Sequence, residues 1–290
     1  MGPQTDQNSE NPAGSGRDKT LDHNGTSTGG LSRYLADTAA CVRFFSRLPL
    51  RQLNRADDIA TPPDFSRISR AAPLAGLIVA LPAAGFGMLL GYTHLPVMAI
   101  AVLTAAMLAV VTGALHEDGL ADVADGFFGG SERERRLTIM KDSRIGAFGA
   151  LSLAFAVLLR VALLAALWDR FAPAEAALLL LSAEVISRFF LVWQWQMQPL
   201  ARPDGLAARF GKPDARAVYQ ALVPALVFLI PPLLLLAVPA VFLGAAIGAL
   251  SALGCGQLGR AKVGGVTGDV LGAIQQVSGL GFLAGIFMVA

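Results

Sequence analysis

The chain has 290 residues, of which 23 are basic and 21 acidic, for a formal net charge of +2. Hydrophobic residues make up 54% and charged residues 15%, and the mean hydropathy is +0.56. Soluble domains carry about a quarter charged residues, so a soluble globular protein is excluded and the bilayer is the expected solvent. Charges so balanced create no field for a polyanion, which argues against nucleic acid as a partner.

Residues 1–30 contain no apolar signal-peptide core and are rich in Gly, Ser, Asn and Asp, which predicts a disordered cytoplasmic tail. The stretch 31–50 (LSRYLADTAACVRFFSRLPL) interleaves apolar residues with Arg33, Arg43 and Arg47 at near-helical spacing and is too polar to span. It reads as an interfacial amphipathic helix that either anchors the N-terminus or covers the active site. Cys41 and Cys255 lack any paired spacing and read as small buried apolar residues.

Apolar stretches follow at about 71–91, 96–115, 146–168, 174–197, 218–238, 240–259 and 270–290, each near the roughly 20 residues that cross a bilayer. They show no period-two alternation, which favours helices over barrel strands. Pro224, Pro231 and Pro232 should kink or break the fifth. The expected fold is all-α, a polytopic membrane helix bundle of about seven transmembrane helices, with residues 31–290 as one membrane-embedded catalytic domain. Arg and Lys gather before the first span, after the second (Arg133, Arg135, Arg136, Lys141, Arg144), after the fourth (Arg202, Arg209, Lys212, Arg216) and after the sixth (Arg260, Lys262). By the positive-inside rule these loops and the N-terminus are cytoplasmic and the C-terminus periplasmic, in a bacterial inner membrane.

The chemistry is concentrated in 116–130 (HEDGLADVADGFFGG), where the second span ends. On a helix Asp118, Asp122 and Asp125 share one face. Like charges so placed repel, and a cation makes the arrangement favourable. Hard oxygen ligands indicate Mg²⁺, with Mn²⁺ as the alternative, and a single nearby histidine disfavours Zn²⁺. His116 falls on roughly the opposite side of a continuous helix, as a structural hydrogen-bonder or a substrate contact. In the following segment, Met140–Gly149, Lys141 and Arg144 suit a diphosphate, and Asp142 suits a metal shell or a proton acceptor. The turn Gly264-Gly265-Val266-Thr267-Gly268-Asp269 can cradle phosphate through its N–H groups. Inside the fourth span Arg188 stands one turn after Glu184, either as a structural ion pair or as a phosphate contact.

Together, the segments 113–126 and 139–146, the turn Gly265–Asp269 and the upstream Arg47-Leu48-Pro49 resemble the adenosylcobinamide-GDP ribazoletransferases, or cobalamin synthases, over about residues 31–290. The resemblance implies Mg²⁺-dependent transfer of adenosylcobinamide phosphate from adenosylcobinamide-GDP to α-ribazole or its 5′-phosphate, releasing GMP. In that reaction Asp118, Asp122 and Asp125 would hold metal, and Asp125 or Asp142 would take the hydroxyl proton. Arg47, His116, Lys141, Arg144, Arg188, Thr267 and Asp269 would contact substrate. The acidic stripe is also similar to that of the CDP-alcohol phosphotransferases, and a cation-coupled transporter is a third reading. A homo-oligomer is left open.

Overall fold

The computed structural model describes residues 29–202 and 205–289, so the expected tail lies almost wholly outside the described residues. In chain order the helices are α1 (Gly30–Phe45), α2 (Phe65–Ile68), α3 (Ala72–Gly91), α4 (Val97–Thr112), α5 (Leu115–Gly129), α6 (Arg133–Ile139) and α7 (Ala147–Arg170). They continue as α8 (Pro173–Met197), α9 (Leu206–Arg209), α10 (Ala215–Val227), α11 (Ile230–Leu235), α12 (Val238–Val263) and α13 (Gly268–Phe287). Among the described residues the only strand-like pairing is one bridge between Leu200 and Val266. Six helical segments are long and apolar enough to cross a membrane, and a seventh arises if the bent pair α4–α5 is counted. The all-α polytopic bundle is therefore as expected, and the fifth span breaks between α10 and α11 beside its prolines.

Two helices form the centre. In the apolar window of α8, 83% is buried, and in that of α13, 72%; the corresponding shares are 22% for α7 and 17% for α10–α11, which keep apolar outer faces for lipid. α12 and α13 approach most closely because Gly244 and Gly248 face Gly281 and Gly285. Lipid tails offer no hydrophobic drive for helices to associate, so small residues that let backbones approach are the means of packing.

The second span does not run straight into the acidic segment. Gly113 and Ala114 both adopt the left-handed conformation (φ 63° and 56°), and α5 leaves α4 at 89°. Ala114 is the one non-glycine residue with positive φ among those described, a conformation that costs about 1–2 kcal/mol. α5 thereby lies outside the spanning segments and crosses one end of the bundle, packed on α6, α7 and α13.

That end is laced by arginines. Arg133 donates to the carbonyls of Val263 (2.8 Å) and Ala201 (2.6 Å), and Arg136 to those of Gly130 (2.9 Å) and Lys262 (3.0 Å). Arg202 donates to the Leu137 carbonyl. Helix α1 docks on the same end. Asp37 accepts from Arg70 (2.6 Å), Asp57 pairs with Arg43, and the buried Cys41 donates to the Ile68 carbonyl (3.3 Å). The amphipathic helix expected at 31–50 thus packs its apolar face on protein, beside the site described next.

Candidate functional site

Along α5 the three aspartates pass from exposed (Asp118) through half-buried (Asp122) to buried (Asp125). Asp125 differs from the other two. Its Oδ2 accepts from the Gly146 amide (2.7 Å) and its Oδ1 from the Gly149 amide (2.8 Å), so it caps the N-terminus of α7. These amides have no partner within their own helix, and a carboxylate placed there also complements the helix dipole. A Cβ on Gly146 or Gly149 would strike this carboxylate.

The carboxylates of Asp118 and Asp122 accept no hydrogen bond and join no ion pair among the described residues. A third acid reaches them from α13. Gly119 lies against the backbone of Asp269, where a side chain would not fit, so α5 crosses α13 at its first turn. Asp269 accepts from the Thr267 hydroxyl (3.2 Å), and Thr267 in turn caps α13 by accepting from the Val270 amide. Burial pushes the Asp122 carboxyl up to about 7, and repulsion from Asp118, Asp269 and Asp125 acts in the same direction. The donor set, uncompensated hard oxygens, fits a divalent cation in chemistry. Among the described residues, however, no three acidic, His or Cys side chains converge at ligating distance.

A cavity of about 380 Å³ opens beside the cluster, lined by Lys141, Arg202, Arg209, Thr267, Gly268 and Asp269. Lys141, read from the sequence as a diphosphate contact, lines this cavity. Arg202 and Arg209 were legible only as loop charges, since nothing in the spacing shows that they meet the start of α13 at this cavity. The glycine turn contributes differently from the cradle foreseen. The amides of Gly264, Gly265 and Val266 are bonded to the carbonyls of Arg260, Gly259 and Pro199, which leaves the first turn of α13 facing the cavity.

The remaining candidates separate. Arg144 pairs with Asp142 (2.8 Å) at an exposed position, and its guanidinium holds the Asp142 carboxyl below the usual range. Arg47 lies over Gly113 at the α4–α5 turn. His116 is buried against Phe45 (ring centroids 5.9 Å apart), and burial, reinforced by the Arg188 charge, pushes its pKa down to about 3. Arg188, 1% exposed, is not among the residues lining the basic cavity. It pairs with Glu184 (2.5 Å), which also meets Arg160 (3.4 Å) and Gln275 (3.3 Å).

Comparison with known proteins places the chain in a family. Residues 37–287 match the family described as Cobalamin-5-phosphate synthase. A protein of Azorhizobium caulinodans named adenosylcobinamide-GDP ribazoletransferase is 45% identical over 89% of this chain and 98% of its own length. Proteins with the same name from Sinorhizobium medicae and Brucella anthropi are each 42% identical, over 86% and 88% of this chain and 94% and 97% of their own lengths. No solved structure matches the chain.

Proposed function

The chain belongs to the cobalamin-5-phosphate synthase family, a family of transferases in cobalamin synthesis, and from that premise we propose that it moves adenosylcobinamide phosphate from adenosylcobinamide-GDP to α-ribazole or its 5′-phosphate. The observation that carries the reading is the meeting of an uncompensated acidic cluster with a basic cavity at Asp269, which lines that cavity and adds its charge to Asp118 and Asp122.

In the reaction the acceptor hydroxyl oxygen bonds to the phosphorus that carries the cobinamide. The bond from that phosphorus to the GMP oxygen breaks, GMP leaves with the electron pair, and the hydroxyl proton passes to a carboxylate of the cluster. Lys141, Arg202 and Arg209 bind the diphosphate oxygens and orient the phosphorus, and the first turn of α13 adds amide donors. Asp118, Asp122 and Asp269 would hold Mg²⁺, which when bound supplies positive charge to the diphosphate and to the leaving phosphate. Asp125 and Asp142, the proton acceptors suggested by the sequence, suit that role less well, because backbone amides hold the first and Arg144 the second. With the arginine-laced loops in the cytoplasm, the site opens to the compartment that holds nucleotides, in accord with the positive-inside rule.

Purified protein in detergent, given adenosylcobinamide-GDP, α-ribazole 5′-phosphate and Mg²⁺, is expected to release GMP in proportion to cobalamin phosphate formed. Absence of GMP release from folded protein, or release of CMP from a CDP-alcohol instead, overturns the reading.

A further inference from the structure

A second hollow adjoins the acidic cluster on the side away from Lys141. It encloses about 130 Å³, and its walls are Phe44 and Phe45 from α1, Trp195 from the end of α8 and Phe210 from the loop after α9. Asp118 and Asp269 line it, and Asp269 also lines the basic cavity, so the two spaces meet at the acids. Two of its lining residues, His116 and Trp195, carry further polar atoms. His116 Nε2 and Trp195 Nε1 are buried without a hydrogen-bond partner, in side chains of residues only 2% and 4% exposed. Buried polar groups are ordinarily satisfied, so two orphaned ones in residues lining the same hollow need a ligand or water to complete them.

We propose that this hollow is the subsite for the fused aromatic base of the acceptor nucleoside, an assignment that rests on the transfer reaction proposed above. Shape is the first reason. The rings of Phe44, Phe45 and Phe210 pack edge-to-face on one another (Phe44–Phe45 5.2 Å, Phe44–Phe210 5.4 Å), an aromatic wall against which a flat aromatic partner packs well. A closed cavity of about 150 Å³ holds one benzene ring, so a two-ring base fills this space and extends toward its opening. Polarity is the second reason. Largely apolar walls with an indole N–H as donor suit a benzo-fused ring that, once ribosylated, keeps a single acceptor nitrogen. The edge of guanine, with its several donors and acceptors, would be left largely unpaired here. Position is the third reason. A ribose attached to a base in the hollow lies at Asp118 and Asp269, facing a diphosphate held by Lys141, Arg202 and Arg209. The two substrates then meet at the carboxylates from opposite sides.

The test uses the full chain in detergent with α-ribazole alone as the probe. Its binding is expected to change tryptophan emission saturably, and Trp195→Phe to abolish that change and weaken binding about threefold through loss of the indole N–H. Phe44→Ala removes a half-exposed wall and is expected to raise the dissociation constant for α-ribazole, and its KM in turnover, about tenfold, with the KM for adenosylcobinamide-GDP within twofold of the parent. Guanosine should not compete. Unchanged α-ribazole affinity in both variants, or a shift confined to the KM of the guanylylated donor, overturns the subsite while GMP release by the parent leaves the reaction standing. Loss of GMP release from the parent itself would instead strike the proposed reaction.

Discussion

Two groups of charges inside one bundle behave in opposite ways. Around Glu184, deep between α8 and α13, the carboxylate is met by two cations, although Arg188 Nε and Glu117 Oε2 find no hydrogen-bond partner. Arg188 and Arg160 face the carboxylate, Gln275 donates to it, and Gln276 links Arg160 to Glu117. Around Asp122, at the end of the bundle, Asp118, Asp269 and Asp125 surround a fourth acid, and no cation of the protein pairs with Asp118 or Asp122 among the described residues. Both groups were visible in the sequence as charges in apolar surroundings, and both looked functional. The difference teaches that charge in apolar surroundings marks two kinds of place, one closed by pairing within the fold and one left open to a ligand.

The largest expected effect breaks the paired group. Glu184→Gln leaves two guanidinium groups buried with no carboxylate, which should cost about 3–5 kcal/mol of stability. Turnover per folded molecule should stay near that of the parent. A thermal melt in detergent together with GMP release checks this. An unchanged melt with lost turnover would place Arg188 in substrate binding after all.

Asp122→Asn should do the reverse, lowering turnover about 10²–10³-fold with the fold intact. The pH dependence has a definite sign. Asp122 is raised to about 7 in the folded chain from its ordinary 3.8, so the folded state binds the proton more tightly than the unfolded one. Ionising this group therefore lowers stability as pH rises from about 4 through 7. In metal-free buffer the Asn variant should melt at or above the parent at pH 8, and the gap should narrow at pH 5 and close near pH 4. Added Mg²⁺ should raise the melting temperature of the parent more than that of the variant. A parent that shows no Mg²⁺-dependent shift would remove the cation from this cluster.

Asp125 tests the boundary between the two behaviours. As the cap of α7, its replacement by Ala should cost about 0.5–2 kcal/mol and reduce turnover far less than Asp122→Asn does. Deep loss of turnover with an unshifted melt would return Asp125 to the metal-holding set. Smallest of all is Asp142→Ala. Its carboxylate pairs with Arg144 in the open, where ion pairs contribute little. The melt should superimpose on that of the parent, and turnover should stay within a few-fold. A hundredfold loss would make Asp142 the proton acceptor.

Composition alone decided the solvent. Seven apolar stretches, the broken fifth span and the i, i+4 pairing of Glu184 with Arg188 are all local properties, set by span length, proline chemistry and helix periodicity. The family was legible for a similar reason, since its motifs are short continuous segments. The site needed the fold. Helical periodicity put Asp118, Asp122 and Asp125 on one face, but it could not show that α7 would bring two amides to Asp125 and that α13 would bring Asp269 beside Asp122. It assumed a straight helix from span to stripe, whereas Gly113 and Ala114 turn the chain by 89° and lay the acids across the end of the bundle. Arg202, Arg209 and the aromatic walls lie far from the acids in sequence, on helices and loops whose own pattern reads as anchor or connection. What joins them is contact between distant segments, which one-dimensional spacing does not encode.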